Sequence, residues 1–379
     1  MDIEQSVLLS LVKQSQFGPS GAISFADVDM DSLYEESLQQ SVLGLIASEI
    51  PADYMTVKFQ EAQVWAQTCH IRYCLAQDAL QKVLVDAGIP MIILKGNASA
   101  ISYKVPFKRM MGDIDFVVPL EHFDEAVSVL KSADYMFDHE DDRHVSFKKG
   151  DMNFELHKLF SHEIDIEDYI FAGLESPVSV NIDGHDFLML PKLANGLVLL
   201  DHFRGHLKSA VGLRHVVDWM MYVYSNLDDD FWHNEFSSVA KEKGMDTLAI
   251  TVTRMCQIYL GLPETITWCS GADESSCSEL MEIILDSGNF GRKNDRGRFV
   301  ETVSTRIKSK GLFPWLQKTG EKKWAAYQRH HWLKPFCWLY MSIRCARKGF
   351  TSGRNKKQLK EDFKRSNVRY ELLKKLGIE

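Results

Sequence analysis

Residues 110–119, MMGDIDFVVP, set two aspartates one residue apart at the head of an apolar run that otherwise reads as a buried strand. Alternate side chains of a strand share a face, so Asp113 and Asp115 point one way while Ile114 and Phe116 point the other. Two like charges that close repel, and burying them without partners costs on the order of several kcal/mol. Whatever fold this chain adopts must bring a cation to that face.

The neighbouring segments read as a small centre of helices and strands. MIILKG (91–96) is a short buried strand opening into a turn, and NASAISYKV (97–105) a short helix stopped before Pro106. LEHFDEAVSVLKSADY (120–135) is the helix after the aspartate strand. HVSFKKGDMNFELHKLF (144–160) is a hairpin: Val145 and Phe147, then Met152, Phe154 and Leu156, alternate on one face. Asn153, Glu155 and His157 lie on the opposite face of its second strand. A further β element is expected in SPVSVNIDGHDFLML (176–190). Before this centre, VDMDSLYEESLQQSVLGLIASEI (28–50) has helical apolar spacing, and residues 57–88 continue as a long helix ending at Gly88. Beyond Pro191 the pattern is helical almost to the end, with GADESSCSE (271–279) and GNFGRKNDRGR (288–298) as the expected long loops. The predicted organisation is a helical region over 1–88, an α/β core over 89–190, and a helical domain over 191–379 with a basic, aromatic-rich tail.

At 379 residues the chain exceeds one small core. No apolar run approaches the roughly 18 residues that span a bilayer, and the N-terminus is acidic where a signal peptide is basic. The seven cysteines include no C-x-x-C, which suits buried thiols in a reducing compartment rather than a disulfide or zinc framework; the expected location is the cytoplasm. The net charge of −8 hides an asymmetry. From Arg292 onward there are 24 Lys/Arg against 7 Asp/Glu, a balance of +17, so the first 291 residues carry −25.

Asp113, Asp115 and Glu155 thus converge as three carboxylates on strands of one segment. Adjacent strands lie about 4.8 Å apart, so such a face can surround divalent cations. Oxygen ligands of this kind suit Mg²⁺ or Mn²⁺, and a pair of these ions can hold the attacking and leaving oxygens of a phosphoryl displacement. Upstream, LKGNA is a strand, turn and helix start whose backbone N–H groups can meet phosphate, with Gly96 leaving room for close approach.

The ordered set LKGNA…KRMMGDIDFVV…NFELH resembles the nucleotidyltransferase superfamily that includes DNA polymerase β and kanamycin nucleotidyltransferase. More closely it resembles a bacterial family of uncharacterised nucleotidyltransferases. Members carry an LKG segment, R-x-x-G-D-x-D, a later acid-x-His strand, a helix with spaced histidines and an L-R-x-x-x-D helix. The last two correspond to His202 and His206 in DHFRGH, and to Leu213, Arg214 and Asp218. The resemblance covers roughly residues 75–225. It implies an α+β fold, a small mixed-sheet core flanked by N-terminal helices and a C-terminal helical domain. It also implies transfer of an NMP from an NTP such as ATP to an acceptor hydroxyl, with two Mg²⁺ (or Mn²⁺) ions. Asp113 and Asp115 would ligate both metals, and Glu155 would ligate one and help activate the acceptor. Lys95, Gly96, Asn97 and Arg109 would meet the nucleotide, and His157, His202, His206 and Asp218 are candidates for the acceptor side. Asn97 stands where the superfamily usually has Ser or Gly.

The acceptor, whether RNA, protein or small molecule, is not legible in these motifs. Alternatives are a toxin-like enzyme acting on tRNA, a sugar or antibiotic adenylyltransferase, and an inactive nucleotide-binding module. Retention of all three acids argues against the last. His202 and His206 stand one helical turn apart, as zinc ligands can, but HFRGH lacks the glutamate of H-E-x-x-H. A helix packed at the site's mouth is the preferred reading. Asp218 is expected to pair with Arg214, and Arg109 alternatively with Asp113. The aromatic-basic tail admits RNA or peripheral membrane contact. The preferred reading is a cap whose charges face the acidic body and whose aromatics are buried.

Overall fold

A computed structural model describes residues 1–19, 21–161, 165–208, 210–289, 293, 307, 311–351 and 356–378. Three short N-terminal helices, Ile3–Phe17 (α1), Met30–Gln39 (α2) and Leu43–Ile46 (α3), precede the 30-residue helix Val57–Asp86 (α4). The single helix expected over 28–50 is broken at Ser41, which has φ 56. The break frees the buried Gln40 carboxamide to donate to the carbonyls of Ile284 and Leu285 and to accept from Leu213 N–H. Helix α4 ends, as its sequence predicts, just before Gly88, whose φ of 76 favours glycine.

The centre alternates β1 (Ile92–Ile93), α5 (Asn97–Ala100), β2 (Ile114–Val117), α6 (Phe123–Ser132), β3 (Met136–Glu140), β4 (His144–Lys149), β5 (Met152–His157), α7 (Glu167–Glu175), β6 (Val178–Ile182) and β7 (His185–Met189). The strands form one mixed sheet in the order β3-β4-β5-β2-β1-β7-β6, and with the helices around it the chain has an α+β fold. Pairs β2–β5 and β1–β7 are parallel; the others are antiparallel. Strand β3 was not foreseen: all five of its residues are exposed, so it carries no alternating apolar signal.

Helices Lys192–Leu207 (α8), Leu213–Asn226 (α9), Asp229–Phe231 (α10), Ser237–Glu242 (α11), Asp246–Leu260 (α12) and Glu274–Ser287 (α13) follow. The loop expected over 271–279 is shorter than that. Asp273 caps α13 by accepting from the N–H groups of Ser275 and Ser276, so the polar run is a helix start. The other expected loop, 288–298, lies mostly outside the described residues.

One large apolar core joins side chains of α1–α4 to those of α7–α13, while a second packs α4 and α6 against the sheet. The sheet face bearing Asp115 and Glu155 thus looks toward the helical half of the molecule. In the basic tail, Leu372, Leu373, Leu376 and Ile378 join the large core, whereas Trp315, Leu316 and Met341 form a small cluster of their own. Lys322 and Lys375 reach Asp142 and Glu279 of the acidic body. Trp332, against the expectation that tail aromatics bury, is 71% exposed. Among the described residues no helix is long and apolar enough to cross a membrane.

Candidate active site

Strand β2 carries Asp115, with Asp113 just before its first residue, and its parallel partner β5 sets Glu155 directly beside Asp115 in register. Equivalent residues on neighbouring strands share a face, so the two carboxylates stand side by side. Oxygens of Asp115 and Glu155 and a ring nitrogen of His157 all lie within 4.8 Å of one another. His157 shares that face two residues along β5. His144, opposite His157 across the hairpin, adds a second imidazole 3.8 Å from Glu155 Oε1.

The cation demanded by the sequence is Lys95, at the end of the β1 segment. Its Nζ is 2.9 Å from Asp115 Oδ1, and His157 Nε2 lies 2.8 Å from the same oxygen. Asp115 is 1% exposed. Burial alone raises a carboxyl pKa, but Lys95 and His157 outweigh it and hold Asp115 well below the usual carboxylate range. Asp113, half-buried at the head of the strand, is shifted upward by the charge of Asp115 and by burial. Burial, then Asp115 and Asp113, push Glu155 up to about 7. Burial disfavours the Lys95 ammonium, yet Asp115 and Asp113 more than compensate, so its pKa is raised.

The turn after Lys95 is built on Gly96, whose φ of 64 and ψ of −114 exclude most L side chains. Its helix is a single turn of four residues. Asn97 is buried with its amide turned back onto α4, donating to Gln77 Oε1 at 3.1 Å and to Cys74 Sγ at 3.6 Å. Arg109 is likewise turned away from the carboxylates. Its Nε and Nη2 donate to the two oxygens of Asp218 at 2.7 and 2.8 Å, and the Tyr103 hydroxyl donates to Asp218 Oδ1 at 2.7 Å. The expected partners, Asp113 for Arg109 and Arg214 for Asp218, thus give way to a pairing between distant segments. Arg214 Nη1 instead donates to the Met110 carbonyl at 3.2 Å and lies 3.5 Å from where a β-carbon on Gly112 would stand. Arg109, Tyr103, Arg214 and Asp218 are all buried. Together they clamp the R-x-x-G-D-x-D segment onto α9.

His202 and His206 of α8 stand on the far side of Lys95, with His202 Nε2 3.5 Å from Lys95 Nζ and 3.0 Å from His206 Nε2. His215 of α9 completes a group of three whose ring nitrogens lie within 4.8 Å of one another. Sequence reasoning passed over Tyr103, His144 and His215. For His144 the signal was its cross-strand position opposite the acid-x-His strand. For His215 it was adjacency to Arg214 in the L-R-x-x-x-D helix. Tyr103 carried none.

A divalent cation suits the carboxylate group on two observations. Asp115 Oδ2 is buried and accepts no hydrogen bond among the described residues. Three carboxyl groups, two of them shifted upward by mutual repulsion and burial, also face a single ammonium. Oxygen donors with one imidazole match the preferences of Mg²⁺ or Mn²⁺.

No curated protein and no solved structure matches the chain. A protein-family model described as "Uncharacterised nucleotidyltransferase" matches residues 27–261, which include both strands of the carboxylate group, the Gly96 turn and the α9 clamp. That match spans more than half of the sequence, and the chain belongs to this uncharacterised nucleotidyltransferase family.

Proposed function

We propose that the protein is a Mg²⁺- or Mn²⁺-dependent nucleotidyltransferase that moves an NMP from an NTP to an acceptor hydroxyl and releases pyrophosphate. The observation that carries this reading is the side-by-side register of Asp115 and Glu155, with an Asp115 oxygen left for a ligand. Asp113, Asp115 and Glu155 would hold the metal, which when bound supplies charge neutralisation to the reacting phosphate oxygens.

The chain's own residues account for the rest. Lys95, already the counter-charge of Asp115, is placed to exchange part of that role for the triphosphate of an arriving nucleotide. Gly96 keeps the adjoining backbone free of a side chain. The acceptor oxygen forms its bond to the α-phosphorus as the bond to the bridging oxygen of pyrophosphate breaks. Glu155 takes the hydroxyl proton. Burial and the neighbouring Asp115 and Asp113 raise the basicity of this carboxyl. Arg109 and Asp218 act as a brace that fixes the aspartate strand, and Arg109 is not a phosphate ligand in this reading. His157 orients Asp115 through its 2.8 Å contact.

The test is incubation of the full chain with each labelled NTP and Mg²⁺ or Mn²⁺, offering total tRNA, protein and small-molecule pools as acceptors. Label transfer and pyrophosphate release that vanish in Asp115→Asn, with circular dichroism unchanged, are expected. Transfer that persists in that variant would overturn the assignment.

A further inference from the structure

Beyond the carboxylates, the three histidines of α8 and α9 form a second constellation. His202 and His206 are spaced i, i+4 and so project from one face of α8. His215, in the first turn of α9, meets them from the side. The three rings are mutually close: the centroids of His202 and His206 are 4.5 Å apart, those of His206 and His215 4.5 Å, and those of His202 and His215 5.1 Å. His215 is buried and the other two are half-buried.

We infer that His202, His206 and His215 form a binding site for a borderline divalent transition metal, Zn²⁺ above all, separate from the carboxylate site. Three imidazoles are nitrogen donors of the kind that prefers such metals to Mg²⁺. With zinc–nitrogen bonds of about 2.0–2.1 Å, tetrahedral donors lie roughly 3.3 Å apart. The His202 and His206 nitrogens are already at 3.0 Å, and the third falls within 4.8 Å. Burial, reinforced by Lys95 for His202 and by His206 for His215, holds both well below the ordinary imidazole pKa, leaving them in the uncharged form that binds metal. One feature opposes a cation here: Lys95 Nζ stands 3.5 Å from His202 Nε2. Its charge is engaged by Asp115 at 2.9 Å. Lys95 therefore separates a hard oxygen site from a nitrogen site and belongs to the electrostatics of both. A metal here would tie α8 to α9, and α9 already grips the aspartate strand through Asp218.

The experiment uses the full chain, stripped with a chelator and then titrated with Zn²⁺, or with Co²⁺ as a coloured substitute, in excess Mg²⁺ to occupy the carboxylates. Expected is one tightly held equivalent, with the intense visible absorption of four-coordinate cobalt. His206→Gln should weaken binding by roughly 100-fold or more, since lost outer partners alone cost about 10–100-fold. Glu155→Gln, which leaves the Lys95–Asp115 pair in place, should leave Zn²⁺ binding intact. X-ray absorption of zinc-loaded wild-type protein supplies a readout that needs no variant, and a shell dominated by imidazole nitrogen is expected. Failure to retain Zn²⁺, an oxygen-rich shell, His206→Gln binding as tightly as wild type, or loss of zinc in Glu155→Gln would each overturn the site.

Discussion

Replacing Asp218 by asparagine should be among the most costly single-atom changes available to this protein. The Asp218 carboxylate receives Arg109 Nε at 2.7 Å, Arg109 Nη2 at 2.8 Å and the Tyr103 hydroxyl at 2.7 Å, and every group involved is buried. Asparagine keeps an acceptor for two of these donors but turns an amide N–H₂ toward the third. It also removes the counter-charge of Arg109, whose guanidinium charge is disfavoured by burial and restored chiefly by Asp218. Arg214 lies close enough to repel Arg109, so two guanidinium groups would then share the nearby Asp113. Removing one partner of a buried pair typically costs about 3–5 kcal/mol, because the survivor stays charged in a poor solvent. Asp218→Asn should fall near the lower end, ~3 kcal/mol, which is roughly a 100-fold change in the folding equilibrium at about 1.4 kcal/mol per decade. Urea unfolding followed by circular dichroism measures it. Arg109→Met and Asp218→Leu combined should recover much of the loss of either single change, with a coupling of roughly 2–3 kcal/mol. A cost below about 1 kcal/mol for Asp218→Asn, the range of a solvated surface pair, or strictly additive single and double variants, would refute the clamp.

Two further outcomes are expected. Lys95→Met should weaken binding of an NTP more than of the corresponding NMP, because the lost ammonium opposes charge on the outer phosphates; equilibrium dialysis with both ligands tests this, and a wild-type ratio of affinities would count against it. Deleting residues 356–379 should lower the melting temperature and raise binding of a hydrophobic dye. It uncovers the partners of Leu372, Leu373, Leu376 and Ile378, each worth about 1.5–3 kcal/mol of burial. An unchanged melting temperature would show that this helix is not part of the core.

Local periodicity carried much of the fold. Alternation in the 144–160 hairpin marked β4 and β5, and the long apolar repeat after Val57 marked α4; the single β element expected in 176–190 is the hairpin of β6 and β7. Where burial is absent or dictated from afar, the pattern failed. Strand β3 lies exposed at the sheet edge, held by its ladder to β4 rather than by an apolar face. The break at Ser41 goes with Gln40 reaching backbone more than 200 residues away at Ile284, a contact that no local pattern announces. The polar run before α13 looked like a loop because serine and aspartate serve both as loop residues and as helix caps, and only the apolar residues that follow decide between them.

The same distinction separates the two halves of the site. The juxtaposition of Asp115 and Glu155 was legible because strand alternation puts each on a defined face and strand pairing then sets them side by side, whereas Asp113 stands just before the strand and outside the group of ligand atoms that Asp115, Glu155 and His157 form. The charges around it were not, since each had a nearer partner in sequence than the one it uses. Arg109 has Asp113 four residues on and Asp218 has Arg214 one helical turn away, yet Arg109 and Asp218 choose each other across 109 positions. Overall charge balance explains the choice. Three carboxyl groups facing Lys95 leave the strand face with excess negative charge, while Arg109 and Arg214 against Asp218 leave the clamp with excess positive charge. Asp113, which feels Asp115 as a repeller and Lys95 and Arg214 as attractors, lies at the junction of the two. Had Arg109 paired with Asp113, the strand face would have lost a ligand charge and Asp218 would have been buried with Arg214 alone. The observed pairing braces the strand and keeps Arg109 off its carboxylates, so that Asp115 Oδ2 accepts no hydrogen bond among the described residues.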